Sequence, residues 1–156
     1  GYFGDSRRQC TCTPTQVNRY RSRISGPLLD RIDIQVEVSN VDYEDLSSTE
    51  NSETSAEIKK RVNKTRKLQL ERYKDYNIYS NSQLDAGMLK KFCPLGEEEN
   101  AILRAAFDNL GLSARAHSRI LKVARTIADL EGSENIKSEH IAEAIQYRSL
   151  DRKYFE

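Results

Sequence analysis

The sequence predicts a mainly α-helical chain: the end of an α/β core with one strand retained, then connecting helices and a compact C-terminal helical unit. Three observations carry this. The last third holds apolar residues at helical spacing, between helix-starting and helix-stopping residues. An alternating run, Ile32, Ile34, Val36 and Val38, has the period of a strand. Between them lies an acidic, Ser/Asn/Thr-rich stretch with linker character.

Residues 1–14 are polar and rich in Gly, Cys and Thr, as a loop is. Thr15 to Ile24 predicts a short helix with a basic face through Arg19 and Arg23, broken by Gly26-Pro27. Leu28 to Asp33 reads as an apolar turn, and Ile32 to Val38 as the strand. Ser39 to Ser55 is the acidic linker. A charge-dense helix follows over Ala56–Tyr73, with a narrow apolar stripe of Ile58, Val62, Leu68 and Leu70. Leu84 to Phe92 forms a further short helix, stopped by Pro94. Glu97 to Leu110 opens with acids that suit the helix dipole and closes at Gly111. Ser113 is an N-cap for Ala114 to Glu131, whose apolar face is Ala116, Ile120, Val123, Ala124, Ile127 and Leu130, ended by Gly132. A last helix spans Ser138 to Arg148.

The 156 residues carry 31% charged side chains and a net charge of +1, which argues neither for nor against nucleic acid. No window approaches a membrane span and no secretory signal is visible. Three cysteines make no disulfide framework, so the expected location is cytoplasmic, with no membrane partner. The chain opens on Gly-Tyr-Phe-Gly rather than Met, as an expressed fragment of a longer protein would.

Arg31, at the mouth of the expected strand, has two readings. Beside Asp30 and Asp33 it makes a local ion pair; presented outward it is an arginine finger that answers the charge spread over a transferring phosphoryl group. Arg115, Arg119, Lys122 and Thr126 share the helix face opposite the apolar stripe. That face is either solvated or, through Arg115 or Arg119 near the helix start, reaches an anion. Cys10 and Cys12 supply two thiolates where a structural zinc site wants four ligands. His117 and His140 read as surface or boundary residues. No Gly-rich phosphate loop, Ser/His/Asp set or paired carboxylates appear.

Gly4-Asp5, Cys10-Thr-Cys12-Thr, the run QVNRYRSR, SGPLLDRIDI over Ser25–Ile34, Leu112-Ser-Ala-Arg-Ala116, RILKVARTIADL over Arg119–Leu130 and Glu143 to Arg148 together resemble the C-terminal part of magnesium-chelatase-like AAA+ ATPases of the ComM (YifB) group. The resemblance implies that residues 1–38 end the AAA+ core, 39–96 are the acidic linker and connecting helices, and 97–156 are the helical lid. It implies Arg31 as an arginine finger acting in trans, and Arg115 or Arg119 as the lid's sensor-2 arginine on ATP phosphate. It further implies ATP and Mg2+ in the intact protein, with neither bound to this fragment, which would be inactive alone. Partners would be identical subunits in a ring, a hexamer, and DNA remodelled during uptake of foreign DNA. Full-length relatives carry a Cys-Pro-Cys just before the segment that resembles Gly1 to Gly4. With Cys10 and Cys12 this would complete a Zn2+ knuckle.

Two alternatives come from other classes. Phe107 to Ala128 also fits a helix–turn–helix that binds DNA through Arg115, Arg119 and Lys122 without catalysis. Such a recognition helix would be exposed, whereas a lid helix would line a cleft facing the Arg31 segment. A pure protein-interaction domain is the other. Within the resemblance, a magnesium-chelatase-type subunit is a further alternative, although no residue here suggests porphyrin or metal handling.

Overall fold

The computed structural model describes residues 1–5, 7–38, 41 and 53–148. Seven α-helices are described: α1 (Pro14–Arg21), α2 (Gly26–Leu29), α3 (Ser55–Arg72), α4 (Ala86–Phe92), α5 (Glu97–Leu110), α6 (Ala114–Glu131) and α7 (Ser138–Gln146), with a 3-10 turn at Asn81–Gln83. Most of the expected linker lies outside the described residues.

Local chemistry sets most boundaries. Thr13 caps α1 in a capping box with Gln16, and Pro14 fills the first helical position, where no N–H is needed. Thr54 and Glu57 make the same box for α3. Asp85 accepts the Met88 N–H and starts α4. Ser113 accepts the Ala116 N–H and starts α6. Gly111 and Gly132 take φ of 59° and 84°, so both close their helices in the left-handed region that favours glycine.

The core is one cluster of Tyr73, Leu84, Leu89, Cys93, Leu103, Ile120, Leu121, Ala124, Ala128, Ile136, Ile141 and Ala144. It joins the end of α3, the 3-10 turn and α4 to α5–α7. Helix α6 lies at its centre and packs most extensively on α7. Phe92 meets Tyr73 and Tyr76 edge-on, with ring centroids 5.0 and 5.1 Å away.

A buried polar hub lies inside this unit. Asp129 accepts hydrogen bonds from Arg72 Nη1 (2.9 Å), Arg125 Nε (3.0 Å), Asn81 Nδ2 (2.8 Å) and Gln69 Nε2 (3.2 Å). The Tyr73 hydroxyl donates to Asn81 Oδ1 at 2.6 Å, and Arg125 also holds the carbonyls of Ser133 and Glu134. Burial pushes the Asp129 carboxyl up, but the Arg72 and Asn81 hydrogen bonds and the Arg125 charge outweigh it, and the net direction is down. Every acceptor site of the carboxylate is used, which is the condition for tolerating a charge in a core.

Three expectations are corrected. The α3 stripe Ile58, Val62, Leu68 and Leu70 is exposed; α3 buries Thr65 and Gln69 instead, because the side facing α6 is chosen by the Asp129 hub. On α6, Leu130 is exposed while Arg125 and Asp129 are buried. The strand at Ile32–Val38 does not form among the described residues. A strand exists by its ladder, and here the Gln35 N–H donates instead to the Tyr147 carbonyl (2.9 Å) beyond the end of α7. Ile34, Val36 and Val38 are left 52%, 63% and 85% exposed.

Candidate functional site: an arginine-lined cleft

Ser25 to Ile32 is a tight turn built by backbone bonds. Asp30 N–H reaches the Gly26 carbonyl, Arg31 N–H the Leu28 carbonyl (both 2.9 Å), and Ile32 N–H the Leu29 carbonyl. Only Leu29 of this turn is buried. The turn holds Arg31 exposed, its guanidinium donating to the Pro27 carbonyl at 2.7 Å. The expected acid partners are elsewhere. Asp30 accepts from Arg148 Nη2 at 3.3 Å, and Arg148 Nη1 reaches the Ile32 carbonyl at 3.1 Å. Asp33 pairs with Arg119. The local ion-pair reading of Arg31 is thus corrected: both neighbouring carboxylates serve to latch the turn onto α6 and the end of α7.

Arg119 is the pivot of that latch. Its guanidinium also donates to the Arg31 carbonyl at 2.7 Å. The basic face of α6 therefore meets the Arg31 turn through the Arg31 backbone, while the Arg31 side chain stays on the outside. Arg115, one turn earlier, is exposed and makes no hydrogen bond or ion pair among the described residues. Lys122 donates to the Ser82 carbonyl at 2.9 Å.

Arg115, Arg119 and Lys122 line a cavity of about 850 Å³ together with Asp33, Ile34 and Val36. Three cations along the first half of a capped helix, on one concave surface, suit an anion with several oxygens. Such a ligand would compete with Asp33 for Arg119. The donor set fits a polyphosphate. It does not fit its magnesium: among the described residues the one group of three metal-ligating side chains is Glu131, Glu139 and His140, which does not line this cavity. His140 there has both ring nitrogens engaged, Nδ1 accepting the Lys137 N–H (3.0 Å) and Nε2 on Glu131 (2.6 Å). His140 is buried and His117 exposed.

Cys10 and Cys12 converge beside Gly1, where an added Cβ would lie 3.4 and 2.7 Å from their sulfurs. Backbone N–H groups of Cys12 and Tyr2 hold the Cys10 thiol below its ordinary value, which favours the thiolate a metal would need. No third His, Cys, Asp or Glu among the described residues joins them, so the residues present make half of a zinc set.

Three residues beyond the expected set carry this arrangement: Arg148, the second latch to the turn, and Asp129 and Arg125 of the buried hub. An arginine ending the apolar helical run at Ile141, Ala144 and Ile145 was the available signal for Arg148.

The family described as "Magnesium chelatase, subunit ChlI C-terminal" matches residues 52–148, and "Magnesium chelatase, subunit ChlI" matches residues 1–46. The competence protein ComM of Haemophilus influenzae is 43% identical over 141 residues, 90% of this chain and 27% of that protein. The protein YifB of Escherichia coli is 41% identical over 152 residues, 97% of this chain and 29% of its own length. A Mycobacterium bovis protein, Mb2921c, is 28% identical over 141 residues, 90% of this chain and 28% of its own. The chain thus spans under a third of the length of the curated relatives it matches. With its C-terminal signature covering more than half of the residues, the chain belongs to the magnesium-chelatase-like AAA+ family, of which it carries the C-terminal region.

Proposed function

We propose that this chain is the lid-bearing part of a ring-forming ATPase that couples ATP hydrolysis to DNA remodelling. Arg31 acts in trans on the γ-phosphate bound by a neighbouring subunit, and Arg115 or Arg119 holds phosphate in cis. The observation that carries this is the exposed Arg31 guanidinium, tethered by one backbone carbonyl while both adjacent carboxylates are engaged elsewhere. A finger must be positioned yet free to meet a charge on another molecule. The position of the α6 basic face, lining a cleft against the Arg31 turn, favours a lid over a free recognition helix.

In the assembly, residues 1–38 close the ATPase core. Residues 39–96 connect, and 97–156 form the lid. The second half of the connector moves with the lid, because Tyr73, Leu84, Leu89 and Cys93 share its core. ATP with its Mg2+ supplies the transferable phosphoryl group; this chain's own residues supply donors to its oxygens. Displacement of Asp33 from Arg119 by phosphate would loosen the latch and let the lid shift against the turn. A six-membered ring in the cytoplasm completes the proposal, and the DNA-processing role rests on likeness to the competence protein ComM. In the intact protein, Arg31→Ala is expected to lower ATP turnover by about a thousandfold or more while ATP binding persists. Normal turnover would sink the finger assignment.

A further inference from the structure

Helix α3 carries a density of positive charge that neither its packing nor the cleft uses. Every residue from Ser55 to Lys64 is exposed, and the helix buries Thr65 and Gln69. Its acids are engaged locally. Glu57 accepts from the Thr54 backbone and hydroxyl, Glu71 pairs with Lys74, and Glu53 just before the helix holds Arg61. Arg72 is taken by Asp129. Lys59, Lys60, Lys64, Arg66 and Lys67 are left exposed, with no ion pair or hydrogen bond among the described residues.

These cations are ordered in space. At about 100° per residue, Lys60, Lys64 and Lys67 fall within about 60° of one another and opposite Thr65 and Gln69. The stripe is about 10 Å long, close to the axial run of about three phosphates on one strand. The three lysines also line a cavity of about 930 Å³ beside α3; its two carboxylates, Glu53 and Glu57, are those already engaged by Arg61 and Thr54. The helix holds no aromatic residue on which a base could stack, and lysines act as mobile point charges rather than bidentate readers of base edges. The chemistry matches a phosphodiester backbone and not a base sequence.

We propose that the outward face of α3 binds the backbone of a nucleic acid, with Lys60, Lys64 and Lys67 as its phosphate contacts. This deepens the DNA part of the reading above but rests on the α3 charges. Its test needs no ATP, so its failure leaves the Arg31 assignment standing and the converse also holds.

The test is fluorescence anisotropy of the chain on a labelled mixed-sequence duplex, with salt raised from about 50 to about 200 mM. Affinity is expected to fall steeply with salt and to be indifferent to base sequence. Replacing Lys60, Lys64 and Lys67 together with Gln, which keeps helix propensity, should reduce the log–log salt slope by about 2.7 and affinity at low salt by about tenfold or more. A charge-matched control, Lys74→Gln with Lys90→Gln and Arg104→Gln, should leave the slope near the parent value. An unchanged slope in the α3 variant overturns the proposal, as does an equal loss in the control. Displacement of the duplex by polyglutamate at equal charge overturns it in favour of an acidic protein partner.

Discussion

The helical unit from Tyr73 onward and the front segment of residues 1–38 solve opposite problems with similar residues. The first buries isoleucines, a cysteine and a fully bonded carboxylate: Ile120 and Ile141 are 0% exposed, and Asp129 accepts from four side chains. The second leaves isoleucines and Asp33 at the surface and Cys10 and Cys12 only half-buried, and it is held to the first by the Arg119 and Arg148 latches and the Gln35–Tyr147 backbone bond. Side-chain type does not decide which region a residue stabilises; the completeness of its surroundings does. A segment held by a few polar latches is suited to move, and a unit with one packed core is suited to move as a body.

The comparison can be broken first at its two aspartates. Asp129→Ala leaves Arg72 and Arg125 without their carboxylate, Arg125 deep in the core, and should cost about 3–5 kcal/mol in urea unfolding. Asp33→Ala removes a half-exposed pair and should cost under about 1 kcal/mol. Equal costs would contradict the contrast. The Asp129 carboxyl lies below its ordinary value, so its contribution is complete above the ordinary carboxylate range and fades as pH falls through the folded-state value. The parent should therefore lose stability on acidification, and that part of the loss should vanish in Asp129→Asn.

Isoleucines give the next test. Ile120→Ala should destabilise by about 2–5 kcal/mol through transfer and cavity terms, against about 0.5 kcal/mol or less for Ile34→Ala. A large Ile34 effect would mean that the 32–38 segment is anchored more firmly than the latches allow. Cysteines sharpen the same point chemically. Burial pushes the Cys93 thiol up to about 11, while the Cys10 thiol is lowered and accessible. Alkylation at neutral pH should modify Cys10 about a hundredfold faster or more, read by mass spectrometry of the intact chain. Comparable rates would show that the unit opens readily.

The helices were largely legible in the sequence because their ends are written locally. Ser113, Gly111 and Gly132 act within one turn of themselves, and α5 and α6 lie where those residues put them. The faces of the helices were less legible. Apolar spacing pointed α3 through Ile58 and Val62, but Gln69 and Arg72 turn it toward Asp129, a partner 57 to 60 positions away. A charged residue reads as outward until its distant partners are known. The strand failed for a related reason: alternation shows which side chains could share a face, and no strand among the described residues supplies the ladder. At the candidate site, Arg31, Arg115 and Arg119 were visible as residues. The engagement of Asp33 by Arg119, and of Asp30 by Arg148, required the fold.

The most direct measurement of the trans role of Arg31 is a mixing experiment in the intact protein. Arg31→Ala subunits are combined with subunits whose ATP site is defective but whose Arg31 is present, and turnover is measured against the ratio of the two. The account predicts two inactive preparations that recover hydrolysis when mixed, because an intact site and an intact arginine then meet across some interfaces. No recovery, from mixtures shown to co-assemble, would contradict it.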